Sequence, residues 1–177
     1  MIAQMKKVEF DALGDIALVH ACFKPLILDY KRRMAQENSS IVKELFYKDL
    51  NIGQKALFVF HVYYDHAIES KEEFYWWSAY YMAQPKIWSA IKIGLQYFGD
   101  EPMYQLLEET EIILQRYHCP NTLEKFAVTR EDLGSNRELA VAMDSLYLKF
   151  TNIAPLTVIG ISNFIRGNHE IFVKIEH

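Results

Sequence analysis

The sequence predicts an all-α fold, a single-domain multi-helix bundle of about eight or nine helices over residues 1–177. Three observations lead there. Apolar residues recur at helical spacing: Met103, Leu106, Leu107, Thr110, Ile113, Leu114 and Tyr117 alternate with Glu101, Gln105, Glu108, Glu109, Gln115 and Arg116. Proline and glycine are scarce and stand where such segments begin and end. Finally, Asn51 with Gln54, Ser70 with Glu73 and Ser135 with Glu138 have the spacing of capping boxes, which satisfy the orphan amides of a first turn.

Taken in order, helices are expected near 8–22, 25–37, 41–49 and 52–68, the second opening at Pro25 and the fourth at the Asn51–Gln54 box. The Ser70–Glu73 box opens a helix over 71–83. Pro85 opens 85–98, where Ile87, Ile91, Leu95 and Phe98 form the apolar line and Gly99 suits a left-handed cap. Within it Gly94 is costly for a helix, which implies close approach of a neighbour seating Trp77 or Trp88. Pro102 marks the start of 101–118, and 119–135 reads as loop with one helical turn. Leu139, Ala142, Met143, Leu146 and Phe150 define 136–150, and Pro155 opens 155–166 with Gly167 as its cap. Thr157 to Ile161 is rich in β-branched residues, but a lone strand would lack a partner, so this segment is also read as helix.

Composition narrows the function classes. About half the residues are apolar (51%) and the formal charge is −4, ordinary for a globular protein. The longest basic run is Lys31-Arg32-Arg33, far short of the positive stripe that phosphate neutralisation requires, so direct nucleic-acid binding is not expected. Cys22 and Cys119 are the only cysteines, in no metal or disulfide pattern, and read as free thiols of a cytoplasmic protein. Neither an apolar leader nor a run of eighteen apolar residues suggests a membrane. Asn38-Ser39-Ser40 fits the glycosylation pattern but has no meaning without a secretory route.

More than half of the aromatic residues, including all three tryptophans, lie between Phe58 and Phe98. On the expected helix at 71–83, Trp76 and Tyr80 form one line, and Phe74, Trp77 and Tyr81 another about 100° around. A helix apolar over so wide an arc is central to a core, or is buried by a partner or ligand.

The segment from Leu50 to Leu114 also has a recognisable order of parts. An acidic helix end (Asp65-His66-Ala67-Ile68-Glu69) leads through Ser70-Lys71 to an aromatic helix opening (Phe74-Tyr75-Trp76-Trp77). A helical pair follows, Ala90-Ile91 through Gly99-Asp100 to Leu106-Leu107, with Leu146 to Phe172 as an extension. This resembles a family of small, all-helical, mostly uncharacterised bacterial proteins that includes a dimeric DNA-mimic protein. Glu69-Ser70-Lys71-Glu72-Glu73 stands here in place of the family's asparagine–glycine turn. The resemblance implies an all-helical fold and dimerisation, and carries over no catalytic residue.

His61, Asp65 and Glu69 lie four apart on one helix line, and His66 lies three before Glu69. Such groups can ligate Zn²⁺ or iron, but di-iron bundles need Glu-x-x-His from two helices, and no such motif or HExxH occurs. No cofactor or metal is therefore assigned. GxGxxG and the Walker loop are absent, and Gly160-Ile161-Ser162 lacks the second glycine of a nucleophile elbow. His118 beside Cys119 is half a thiol dyad, but chain neighbours rarely face each other. Glu108, Glu109 and Glu111 read as a solvated face.

The expected function is that of a cytoplasmic, non-enzymatic protein-interaction module, acting as a homodimer toward an unknown protein partner. Its candidate surface or pocket is Phe74, Trp76, Trp77, Tyr80 and Tyr81 with His61 and Asp65. Two alternatives remain open at this point. One is a small-ligand binder or enzyme whose aromatic pocket uses His61 and Asp65 as polar groups; the other is a DNA-mimic regulator of a DNA-binding protein.

Overall fold

A computed structural model describes residues 2–36 and 40–176. Its elements run β1 (Ala3–Lys6), α1 (Lys7–Ala12), α2 (Asp15–Gln36), α3 (Ser40–Asp49), α4 (Ile52–Ala67), α5 (Lys71–Met82) and α6 (Pro85–Phe98). They continue with α7 (Glu101–Arg116), a 3-10 turn (Leu123–Lys125), α8 (Asp132–Ser135), α9 (Arg137–Gly167), α10 (His169–Phe172) and β2 (Val173–Glu176). The all-α expectation holds, with ten α-helices rather than eight or nine among the described residues. The end of the second expected helix at residue 37 and the Asn38-Ser39 pattern lie outside the described residues.

Three boundaries differ from expectation. The helix expected at 8–22 is broken at Leu13-Gly14, and α2 then runs straight through Pro25. Likewise α9 runs through Pro155, so the helices expected at 136–150 and 155–166 are one element of 31 residues. An interior proline removes one backbone bond and crowds the carbonyl four residues back, and packing of the flanking turns outweighs that cost. Leu18, Cys22 and Leu26 bury one face of α2, and Met143, Phe150, Ala154 and Ile161 one face of α9. Gly167 is the last residue of α9, and among the described residues Gly99 alone of the glycines is left-handed, at φ 74°.

Other termini follow their caps. Asn51 and Gln54 form a reciprocal box, with backbone-to-side-chain bonds of 3.1 and 2.8 Å. Ser70 accepts from the Glu73 amide at 3.1 Å, and Asp100 from Met103 at 3.0 Å. The Ser135–Glu138 box is not made: Asn136 accepts from the Leu139 amide at 3.0 Å, and Ser135 donates back to the Asp132 carbonyl. The α7 end closes on His118 at φ 58°, with Cys119 N bonded to Leu114 O at 2.9 Å, the six-to-one bond of a Schellman turn.

The described chain groups into two compact units, Met1–Phe58 with Val158–His177, and Val59–Thr157. In the first, β1 and β2 pair in parallel with Ala3 opposite Val173 and Lys6 opposite Glu176. This ribbon escaped sequence reading because four residues are too few for a period to register, and each strand's partner lies at the other end of the chain. Phe46, Tyr30 and Phe58 form an aromatic cluster with centroids 4.9 to 5.4 Å apart. Asp29 is buried beneath Arg32 and Arg33, and Arg33 reaches on to Asp49 at 2.7 Å, tying α2 to the end of α3. Ser162 donates to Asp15 at 2.7 Å, a tie between α9 and α2.

In the second unit Tyr63, Phe74, Tyr75, Ile91, Leu95, Leu107, Leu114 and Phe150 are buried. The Tyr63 and Ser78 hydroxyls share a hydrogen bond of 2.8 Å, which makes burial of both tolerable. Glu108 and Glu111, expected in solvent, grip Lys92 at 2.6 and 2.7 Å, and Glu111 also accepts from the Trp88 indole at 2.8 Å.

Gly53 shows where backbone approach demands a missing side chain. A Cβ there would stand 2.7 Å from Phe172 Cζ and 2.8 Å from Ile171 Cγ2. Phe172 is itself buried and has little room to retreat. Gly53→Ala is therefore expected to destabilise by about 1–3 kcal/mol through overpacking. Gly160→Ala, with nothing within 4 Å of the new methyl, should instead stabilise by up to about 1 kcal/mol. Thermal melts of the two variants check both signs; a Gly53→Ala melt equal to wild type would refute the close-packing account.

Candidate functional site

Helix α5 carries the aromatic lines because the Ser70 cap fixes its start and no helix breaker interrupts Phe74 to Tyr81. Phe74 and Tyr81 are buried, whereas Trp76, Trp77 and Tyr80 are half-buried. The two lines therefore have different surroundings. Phe74 packs on Phe150 with centroids 5.0 Å apart, and Tyr81 meets the edge of Tyr63. Their place is the core of the second unit.

Trp76 and Tyr80 stack on each other at 5.0 Å and 10°. Over them lies the segment between α7 and α8. Phe126 sets its edge against both rings at 5.8 and 5.6 Å, and the Val128 carbonyl accepts from the Trp76 indole at 3.1 Å. The Arg130 guanidinium sits 4.6 Å from the Trp76 ring centre and forks onto the Glu73 carboxylate. Cation, ring and carboxylate thus hold the segment down as a strap. The stretch read as loop with one helical turn supplies the cover of the aromatic helix. Its signal in the sequence was Phe126 and Arg130, an aromatic and a cation four apart, which form no period to reveal it.

Trp77 is held separately. It stacks on His66 at 4.0 Å and 10°, and its indole donates to Glu73 at 3.0 Å. Glu73 therefore serves the Arg130 fork and the Trp77 indole, and does not return a bond to the Ser70 cap. All three indoles, those of Trp76, Trp77 and Trp88, donate within the chain.

His61 is buried, with Nδ1 2.9 Å from Asp65 Oδ1 and its ring edge-on to Tyr64. Asp65 is exposed. The structure brings these two together as the spacing expects, one turn apart on α4. Glu69 lies beyond the end of that helix and is exposed. Among the described residues, no group of three or more His, Cys, Asp or Glu side chains is placed to hold a metal ion.

Cys119 faces Tyr75, whose hydroxyl is 3.9 Å from its sulfur and donates to Asp132 at 3.4 Å. Burial, with the Asp132 charge, pushes the thiol pKa up, so the thiolate that a nucleophile needs is disfavoured. His118 is exposed and left-handed, at φ 58°. Cys22 is buried in the first unit, and burial pushes its thiol up to about 12. Both cysteines are free.

Two predictions follow from the strap. Arg130→Ala removes the fork and the cation over Trp76, interactions worth about 1 kcal/mol together at a half-exposed site. Tryptic cleavage at Lys125 should accelerate and tryptophan emission shift to the red; an unchanged cleavage rate would show that Arg130 does not hold the strap. Acid tests the same clasp. Arg130 first, and the Trp77 indole after it, hold the Glu73 carboxyl below the usual carboxylate range. A depressed folded pKa contributes stability above the unfolded value of about 4.3, lost as pH falls through the lower folded value. Glu73→Gln should therefore flatten the change in tryptophan emission on titration from pH about 5 to 3. A wild-type-like titration curve would remove Glu73 from the account.

No family model matches the chain, and no curated protein or solved structure matches it significantly.

Proposed function

We propose that this chain is a protein-interaction module without a catalytic role, and that it docks through α9. One observation carries the reading: Val141, Leu148 and Leu156 are 61%, 63% and 67% exposed on a single helix. With about 100° per residue they fall within an arc of about 80°, together with Ser145 and Asn152. Elsewhere among the described residues, exposed large apolar side chains stand one or two to a helix, which is ordinary. By length and apolarity alone α9 could also cross a bilayer, at a mean hydropathy of 1.2. Its opposite face, however, is spent on the protein's own core through Leu139, Met143, Leu146 and Phe150.

The aromatic arc of α5 supports the pocket reading less well, because its indoles already donate within the chain and Phe126 and Arg130 cover Trp76. DNA mimicry needs carboxylates free to stand for phosphates. Here Glu73, Glu108, Glu109 and Glu111 each hold a lysine or arginine of the chain.

A photo-reactive phenylalanine analogue placed at position 148, and in a control at exposed Glu124, tests the docking face in cells. Position 148 should give one discrete adduct and position 124 none. Equal or absent labelling at both positions would overturn the α9 reading.

A further inference from the structure

We infer that the Glu73 carboxylate and the face of Trp76 form a guanidinium seat, filled in cis by Arg130 and open in trans to an arginine of a partner protein. Arg130 itself shows which ligand fits. Its guanidinium lies 4.6 Å from the Trp76 ring centre and forks onto both Glu73 oxygens, one of them at 2.7 Å. A planar cation with paired donors satisfies the ring and both oxygens at once. An ammonium, a compact point charge, does not reproduce that fork. The seat does not depend on docking through α9.

The receiving half is built without its occupant. Glu73 lies in the first turn of α5, behind the Ser70 cap, and the Trp77 indole donates to it at 3.0 Å. Trp76 is stacked on Tyr80 and set edge-on to Trp77 at 4.9 Å. None of these contacts involves Arg130, so carboxylate and ring keep their placement when the guanidinium leaves. The occupying half is held more loosely. The Arg130 side chain is 40% exposed and belongs to a turn. Val128 and Phe126 fasten the strap to Trp76 separately. Rotation about the arginine's own side-chain bonds therefore empties the seat with the backbone in place.

Charge favours a cationic visitor. The Glu73 bond first, and then the charges of Glu73, Glu131 and Glu69, hold the Arg130 pKa up. Glu69 and Glu131 are exposed. One guanidinium among three carboxylates leaves the rim acidic, which draws a basic segment and repels an acidic one.

Indole ¹H–¹⁵N NMR during titration with N-acetyl-arginine amide reads the seat directly, with N-acetyl-lysine amide as the control for charge and ionic strength. In Arg130→Ala the Trp76 and Trp77 indoles should shift and saturate, with a Kd on the order of millimolar. The Trp88 indole, bonded to Glu111, should stay in place. In wild type Arg130 competes, and the same shifts should need about fivefold more ligand. Adding Glu73→Gln to Arg130→Ala should weaken binding by about tenfold, and the lysine analogue should bind several-fold more weakly than the arginine one. Far-UV circular dichroism checks the fold of each variant, and Arg130→Gln replaces the alanine variant if that check fails. Absence of a saturable shift in Arg130→Ala overturns the seat, as does binding that survives Glu73→Gln. Equal affinity in wild type and Arg130→Ala overturns Arg130 as its occupant. Binding by the variant with none by wild type overturns occupation in trans.

Discussion

Helix α5 has aromatic rings on nearly every side, and a helix built that way has no face to give to water. The second unit is arranged around this constraint. Phe74 and Tyr75 go inward, Phe74 against Phe150, while Trp76 and Tyr80 require a lid that regular secondary structure does not provide. The strap from α7 to α8 provides it, with Phe126 edge-on to both rings and Arg130 over Trp76. Large rings contribute much buried area, but each indole N–H and phenol O–H must also find a partner when buried. Val128, Glu73, Glu111 and Ser78 meet that demand, and so decide where the surrounding elements sit.

The same accounting explains the charge distribution. A chain with more acids than bases could present an acidic face, yet many carboxylates of the second unit are drawn into internal pairs. Glu108 and Glu111 share Lys92, where burial opposes the charge but both carboxylates favour it, with a net rise in the lysine pKa. Glu73 takes Arg130, Asp144 takes Lys71, and Glu109 takes Lys149. Pairing of the last two leaves α9 with an uncharged line between two neutralised borders. The uncharged character of this stretch of α9 thus depends on pairing elsewhere in the unit.

Helix existence was legible in the sequence wherever period and caps agreed. Asn51–Gln54 and Gly99 did what their chemistry demands, because a cap is satisfied within four residues and needs no distant partner. Proline misled at Pro25 and Pro155, since its local cost is outweighed by packing on both sides of it. Ser135 misled because the cap stands one residue further on, where Asn136 accepts from the Leu139 amide. Of the candidate site, the His61–Asp65 contact was legible, being one helical turn apart. Its surroundings were not.

What the chain alone determined is therefore local: an all-helical design, many of its capped ends, and an aromatic helix near 71–83. Tertiary structure decided which rings face the core, which are strapped down, and which apolar line remains open on α9. It also paired β1 with β2 across the full length of the chain. The physical reason is range. Caps and periods act over three to five residues, whereas burial and ion pairing depend on which distant segments fill the space around a side chain.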